Sequence, residues 1–244
     1  MIGKSISIRI PGENREAPQL EAAFGGHPYV VEILTGSFRD IEFAVGSWSR
    51  SISVGQPDCE CTGLIEIADN NPWVCADRVN VPSAPVTAAL IALAPLALAG
   101  LIADEPVVQL SEDVSRDELR EELARLGYNG DLVLDTVAQD LGSAVAATVL
   151  VPVRTPDDAS ELDNAFEERY GRSFYVRHDD ESVWAIDLVQ DTARGLYRLR
   201  YTPGNEVSLL TVQVMIDRNG KGGAAQVVHA FNVMNGFEES LGIA

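Results

Sequence analysis

The chain has 244 residues, 46% of them apolar, and a formal net charge of −19. This length holds one large domain or two small ones, and the apolar content excludes an intrinsically disordered chain. The strong negative charge argues against nucleic acid or an anionic membrane as a partner. The first ten residues, MIGKSISIRI, do not resemble a signal peptide, so we expect a cytoplasmic protein.

The predicted elements mix helices and strands along the whole chain. Strand-like runs are found at residues 4–10, 29–34, 41–46 and 63–68, with a short helix at 17–24 between the first two. An amphipathic helix, SRDELREELARLG, follows a long uncharged run, with Ser115 as N-cap and Glu118 completing a capping box. The remaining elements are, in order, the strands LVLDT and AVAATVLVPVR, the helix DDASELDNAFEERYG, the strands SFYVRH, LYRLRYT and SLLTVQVMID, and a closing helix from Lys221. This order predicts an α/β or α+β fold.

The uncharged run from 80 to 103, NVPSAPVTAALIALAPLALAGLIA, is long enough to cross a bilayer. Three prolines interrupt it, it is rich in alanine, and no cationic flank sets an orientation. A helix that is apolar on every side is also typical of a protein core. We therefore predict a buried helix and no membrane partner.

Three cysteines, Cys59, Cys61 and Cys75, are an odd number without a secretion signal, which indicates reduced thiols. The close spacing of Cys59 and Cys61 is compatible with a zinc site that has Cys75 as a third ligand. Structural zinc takes four ligands, usually from C-x2-C pairs, and the three histidines are scattered. We expect ordinary thiols and no bound metal.

The stretch DRNGKGGAAQVVHAFNVMNG places Lys221, Gly222 and Gly223 at the start of the closing helix. The first backbone N–H groups of a helix and the positive end of its dipole attract anions, and a lysine adds a full charge. These three residues therefore predict an anion site. In the alternative interpretation the glycines permit close packing and Lys221 is solvated.

The C-terminal third resembles the closing segment of N-acetyl-γ-glutamyl-phosphate reductases and their carrier-protein-dependent relatives of lysine biosynthesis. That family ends in D-N-x-x-K-G-A-A-x-Q followed by N-x-M-x-G-x-x-E-x-x-G. The matching positions here are Asp217, Lys221, Gly222, Ala224, Gln226, Asn232, Met234, Gly236, Glu239 and Gly242. The resemblance implies a reduced, degenerate Rossmann-like part over 1–80. It also implies a mixed-sheet substrate and dimerisation domain over 81–244, whose helix at 221–236 packs back on the N-terminal part.

The family's redox equipment is missing from this sequence. Its three dinucleotide-binding glycines fall on Pro11, Asn14 and Ala17, and a dinucleotide loop needs glycine for its tight turn and for approach to the pyrophosphate. The nucleophilic cysteine of the family motif N-P-G-C-Y-P-T-A falls on Ala84, or on Ser83 with a one-residue slip. The resemblance places the catalytic histidine near Ser115 and a His-and-Arg patch on Val137 and Ser143. We therefore expect no NADPH and no other cofactor.

Acidic residues in DLVLDTVAQD lie where the family has its active-site loop. Asp135 is the preferred candidate for a general base, with Asp131 and Asp140 behind it, because a partly desolvated aspartate near a cation accepts a proton readily. The alternative is a solvated loop of an acidic protein. Arg116, Arg218 and Ser83 are candidates for substrate contacts, although each arginine also fits a surface role.

Two functions remain open. In the first, the chain resembles the reductase-like proteins of azabicyclic (azinomycin-type) antibiotic pathways, in which an aziridine closes as sulfate or phosphate leaves an amino acid on an amino-group carrier protein. In the second, it is an inactive reductase-like scaffold that stabilises a partner enzyme. The expected partners are the loaded carrier protein and a sulfotransferase, in a homo-oligomer or hetero-complex. An acidic carrier needs a basic docking patch, for which Arg194, Arg198 and Arg200 are candidates.

Overall fold

The computed structural model describes residues 5–13, 16–56, 58–59, 61–68 and 70–243. The chain divides into two compact units, one formed by Met1–Ser83 with Gly223–Ala244 and the other by Ala84–Gly222. The predicted boundary after residue 80 therefore differs by three residues from the one in the structure. The last 22 residues belong to the first unit because apolar side chains of the closing helix join its core.

The first unit contains a six-stranded mixed sheet in the order β2-β1-β3-β4-β6-β5. Its elements are β1 (Ile6–Pro11), α1 (Ala17–Gly25), β2 (Val30–Gly36), β3 (Ile41–Val45), β4 (Trp48–Val54), β5 (Cys61–Thr62), α2 (Asn70–Cys75), β6 (Arg78–Val81) and α6 (Ala225–Asn235). The segment β1-α1-β2 is a parallel βαβ unit, whereas β3 pairs antiparallel with β1. Alternation in β1 turns Ile6, Ile8 and Ile10 inward, where they join one cluster with Phe24 and Phe231.

The second unit contains another six-stranded mixed sheet, in the order β10-β11-β12-β9-β7-β8. Its elements are α3 (Ala84–Leu98), β7 (Val107–Leu110), α4 (Arg116–Arg125), β8 (Val133–Thr136), β9 (Ala144–Arg154), α5 (Ser160–Tyr170), β10 (Val176–His178), a 3-10 turn (Ile186–Leu188), β11 (Gly195–Thr202) and β12 (Val207–Asp217). The two units together form the α/β fold that the sequence predicts. Helix α3 contacts β9 and β12 and is buried almost throughout, which confirms the buried helix. Within the part of the chain described, no helix is both long and apolar enough to cross a membrane.

One face of this second sheet is not covered by the helices of its own unit. Strand register places Arg198 opposite Gln213, Gln213 opposite Thr148, and Gln109 opposite both Thr148 and Asp135, so these side chains share a face. Each of them is exposed or half-buried, whereas the residues that alternate with them on β7, β9 and β12 are buried. We call this the open face.

The structure confirms one local prediction and corrects others. Ser115 is the N-cap of α4, and its side chain accepts a hydrogen bond from the Glu118 backbone N–H at 3.2 Å, as predicted. Residues 63–68, predicted as a strand, instead form a turn in which Leu64 accepts hydrogen bonds from Ile67 and Ala68. Strands β4, β5, β6 and β7 and helix α2 were not predicted, because each is short and carries too few apolar residues for a clear pattern.

Candidate functional site

The carboxylate of Asp217, at the end of β12, organises the turn that leads to Lys221. It is fully buried and accepts hydrogen bonds from the backbone N–H groups of Asn219 (2.8 Å) and Gly220 (2.7 Å). The Ser143 hydroxyl and the Asp191 backbone N–H (3.1 Å) also donate to it. Four donors fix both oxygens, so the backbone just before Lys221 is held in one conformation.

Asp191 is the only non-glycine residue with a positive φ (57°) among those that the structure describes. Aspartate tolerates this left-handed conformation better than most residues do. This left-handed conformation directs the backbone N–H of Asp191 toward the Asp217 carboxylate, to which it donates. Sequence reasoning missed this contact, because nothing in the stretch around Asp191 signals a partner 26 positions away.

The closing helix does not begin at Lys221. Gly220–Ala224 form a π-helical turn, Gly223 interrupts it with a non-helical conformation (φ −151°, ψ −116°), and regular helix α6 starts only at Ala225. The predicted helix at 221–236 is therefore corrected to Ala225–Asn235. The division between the two units also falls between Gly222 and Gly223. Lys221 thus belongs to a separate turn and not to the first turn of α6.

The Lys221 side chain is 1% exposed, so the interpretation of a solvated lysine is wrong. Its Nζ lies 5.9 Å from the centre of the Tyr175 ring, within cation–π range. The stem runs past Gly195, where an added Cβ would stand 3.5 Å from Cγ of Lys221 and 3.1 Å from Cδ1 of Ile91. Because Ile91 lies on α3, Lys221 is on the helix-covered side of the sheet.

Gly222 lies directly against the start of α3. A Cβ at Gly222 would be 2.7 Å from Cβ of Ala84 and 3.1 Å from Cδ1 of Ile216, closer than side chains approach one another. Ala84 is the position on which the family's nucleophile falls. The structure therefore brings the Lys221–Gly222 turn to Ala84, where the side chain is a methyl group. Ser83, the alternative position, is half-buried and precedes α3.

The structure does not bring the predicted aspartates to Lys221. Asp131, Asp135 and Asp140 are all exposed, so the expected partial desolvation is absent. Asp135 lies on the open face and accepts a hydrogen bond from Gln109 at 3.3 Å. Strands β9 and β7 separate β8 from β12, a distance of roughly 14 Å at about 4.8 Å per strand. Sequence position alone suggested proximity, but the order of strands in the sheet removes it.

Asp131, Arg116 and Arg218 have structural contacts. Asp131 pairs with Arg120, and Arg116 donates to the Leu132 carbonyl at 3.0 Å, which fastens α4 to the loop before β8. Arg218 forms a salt bridge with Glu112. The guanidinium groups of both arginines that were predicted to bind a substrate carboxylate are therefore engaged within the protein.

Among the described residues of the N-terminal βαβ unit, the first and third dinucleotide-fingerprint positions, Pro11 and Ala17, are not glycines. Strand β1 ends at Pro11, and α1 begins with Ala17 and Pro18 after Glu16. Pro18 supplies no N–H, and the Glu16 carboxylate opposes an incoming pyrophosphate. Asn14, the middle fingerprint position, lies outside the described residues.

The cysteines do not form a metal site in the part of the chain that is described. Cys59 and Cys61 are buried, Cys75 is exposed, and no group of three or more His, Cys, Asp or Glu side chains is arranged to hold a metal ion there. Glu60, between the first two cysteines, is outside the described residues.

The rest of the C-terminal motif has structural contacts within the first unit. Nε2 of His27 donates to Oδ1 of Asn232 at 2.9 Å, and Nδ2 of Asn232 donates to the carbonyl of Glu239 at 3.0 Å. The Glu239 carboxylate lies 2.9 Å from Nε2 of His229. Gly242 has φ +73°, and a Cβ there would stand 2.8 Å from Cδ2 of His27. These contacts therefore fasten the C-terminal segment to α6 and to the loop between α1 and β2.

Comparison with known proteins supports the scaffold and no more. No protein-family model matches the chain. It is 27% identical over 99 residues to N-acetyl-γ-glutamyl-phosphate reductases of Listeria monocytogenes serovar 1/2a and serotype 4a. The match covers 41% of this chain and 29% of each reductase, so the chain matches less than a third of their length.

A solved structure of similar fold is aspartate semialdehyde dehydrogenase II from Vibrio cholerae, in complex with ASA. It matches with a TM-score of 0.64 and 11% identity over 94% of this chain and 98% of the dehydrogenase. The identity is too low to carry more than the fold. The chain therefore has a reductase-like α/β scaffold.

Proposed function

We propose that this chain is a non-redox enzyme of secondary metabolism on an acyl-phosphate-reductase scaffold. It closes an aziridine by eliminating sulfate, or phosphate, from an amino acid bound to an amino-group carrier protein. The observation that supports the proposal best is the turn from Asp217 to Gly222. This turn is held by four hydrogen bonds, carries a buried lysine and lies against the position that a nucleophile occupies in the reductases.

The loss of redox chemistry follows from two positions. Ala84 has no group that attacks an acyl phosphate, so a thioester cannot form there. Glu16, Ala17 and Pro18 replace the glycine-rich helix start that receives a pyrophosphate. In this proposal the chain uses the anion-binding turn from Asp217 to Gly222 and carries out no hydride transfer.

Aziridine closure needs little more than positioning and leaving-group stabilisation. The amine lone pair forms a C–N bond to the carbon that bears the sulfate, the C–O bond breaks, and its electron pair leaves with the sulfate. The amine proton is released to solvent. The departing oxygen gains negative charge during this step, and a fixed cation in a preorganised site stabilises it better than water does. Lys221 is the residue that we assign to this role.

The aspartates are not part of the revised mechanism, because all three are exposed and Asp135 lies on the open face. This separation gives the proposal a sharp internal control. Lys221→Met keeps the apolar stem and removes the charge, whereas Asp135→Asn removes a charge that should not matter.

The experiment uses the full chain with carrier protein bearing a sulfated amino acid, and it follows aziridine and free sulfate by mass spectrometry and ion chromatography. Lys221→Met should lower turnover about 10²–10³-fold, the typical cost of removing one charge-stabilising group. Asp135→Asn should stay within a few-fold of the parent. Full activity of a folded Lys221→Met protein contradicts the mechanism.

The second candidate, an inactive scaffold that stabilises a partner enzyme, is favoured by one observation. Val133, Val207 and Leu209 are exposed on the open face, at 43%, 50% and 37%. Under this alternative, Lys221→Met leaves the partner's solubility and activity on co-expression unchanged, while Leu209→Asp lowers both. Under the first candidate, Lys221→Met instead lowers the turnover of the chain itself.

A further inference from the structure

The open face of the second unit holds a cavity of about 400 Å³ that includes two of the arginines considered above for carrier docking, Arg198 and Arg200. It is lined by Asp180, Arg198, Leu199, Arg200, Thr211 and Gln213. Strand register places Arg198 directly opposite Gln213 and Arg200 opposite Thr211, so two arginines face two neutral polar side chains across β11 and β12. The volume is in the range of sites for small molecules.

Arg198 is held in place before any ligand arrives. Its Nε donates to the Asp179 carbonyl at 2.5 Å and its Nη2 to the Ser182 carbonyl, and its guanidinium stacks on the Trp184 ring at 4.7 Å. The same Nη2 lies 3.9 Å from the Asp179 carboxylate. The loop from 179 to 184 therefore fixes the guanidinium. Most of the side-chain entropy of Arg198 is already lost in the free protein, so binding costs less of it.

Arg200 is different. It is exposed, and its side chain forms no hydrogen bond or ion pair with any residue that the structure describes. Its guanidinium retains all of its donors for a ligand, and a guanidinium matches the two oxygens of a carboxylate or phosphoryl group. Arg194, which the sequence grouped with these two, does not line the cavity.

The charge of the cavity contrasts with the rest of the molecule. Two arginines and Asp180 give the lining a formal charge of about +1, in a chain of net charge −19. Asp180 is itself engaged, with Oδ2 3.0 Å from Nε2 of His178. A cationic cavity in a strongly acidic protein attracts anions locally while the remaining surface repels them.

We propose that this cavity is a binding site for a small oxyanion, a carboxylate or phosphoryl compound, which Arg200 binds through its guanidinium and which Arg198, Thr211 and Gln213 orient. The proposal rests only on the second unit. It does not depend on aziridine closure, and loss of this site leaves the Asp217 turn intact.

The test is calorimetric titration of the full chain at low ionic strength with two probes, inorganic phosphate and glutarate. Arg200→Gln should weaken binding of the preferred probe at least about tenfold, because a charge-assisted bidentate contact is lost. Arg200→Lys should give a smaller loss, since it keeps the charge but not the planar fork. The matched control is Arg194→Gln. It removes the same charge from the residue just before β11, outside the cavity lining, and should change the Kd less than twofold.

Either probe binding more tightly supports the site and tells the two chemistries apart, phosphate indicating phosphoryl or sulfuryl ligands and glutarate indicating carboxylates. The proposal is overturned if neither probe binds at millimolar concentration. It is also overturned if Arg194→Gln and Arg200→Gln weaken binding equally, because the attraction is then diffuse. Both arginines are exposed, so unchanged thermal unfolding should accompany every variant.

Discussion

Gly222 and Ala84 are in contact at the junction of the π-helical turn with α3, and a single methyl group on Gly222 would lie 2.7 Å from Cβ of Ala84. The two positions are 138 residues apart in the chain, and there is no room for a side chain at position 222. This contact explains why glycine follows Lys221, and it fixes where the lysine can lie.

Gly222→Ala should destabilise the protein by about 1–3 kcal/mol, the usual cost of forcing an extra carbon into a packed site. Chemical denaturation monitored by circular dichroism measures it. Gly25→Ala is the matched control, because an added Cβ there meets nothing within 4 Å and alanine favours the helix. Equal stability of the Gly222 variant and the parent contradicts the packing described here.

Asp217→Asn should cost about 2–3 kcal/mol of unfolding free energy, because hydrogen bonds to a charged acceptor are strong and one amide NH₂ then faces N–H donors. Asp140→Asn is the comparison, since that exposed carboxylate accepts one bond, from Gly142 at 3.3 Å. Hydrogen exchange should show earlier opening of residues 218–222 in the Asp217 variant. Unchanged protection there counts against the role assigned to Asp217.

NADPH should not bind at concentrations up to about 1 mM, although the scaffold resembles that of dinucleotide-dependent reductases. The helix after β1 has Glu16 as its N-cap and starts with Ala17 and Pro18, which offer a negative charge and a missing donor where a pyrophosphate needs backbone N–H groups. Fluorescence titration of NADPH with the full chain measures this. Micromolar binding refutes the non-redox interpretation, whatever the fate of Lys221.

Burial of His27 lowers its pKa below 6.5, and the hydrogen bond with Asn232 offsets part of this. Its Nδ1 accepts from the Tyr29 backbone N–H (3.3 Å) and its Nε2 donates to Asn232, an arrangement that needs the neutral ring. Above pH 6.5 neither state binds the proton. As the pH falls below 6.5 the unfolded chain binds it first, so stability should drop until the lower folded-state pKa is reached.

His27→Gln removes this titration and can still donate to Asn232. Its unfolding free energy should therefore fall less between pH 7.5 and 5 than that of the parent. If His27→Gln and the parent lose stability in parallel, other groups cause the acid sensitivity.

Local patterns predicted much of the fold. The alternation in β1, the capping box at Ser115 and the uniformly apolar run of α3 are each properties of a few neighbouring residues, and each appears in the structure. The lysine-glycine turn could also be located from sequence. Its form could not, because the interruption at Gly223 separates Lys221 from α6 and carries no local signal.

The residue pattern was enough to predict an α/β scaffold, an alanine at position 84 and the place of the lysine-glycine turn, because these depend only on which residues stand where. Tertiary structure alone decided which residues meet. Asp217 was visible as a motif residue, but its four donors come from segments up to 74 positions away. Asp135 stood near the expected pocket in sequence, yet strand order placed it about three strands away on the open face. The physical reason is that side chains in a sheet are brought together by strand order and register, which nonlocal packing sets and no short stretch encodes.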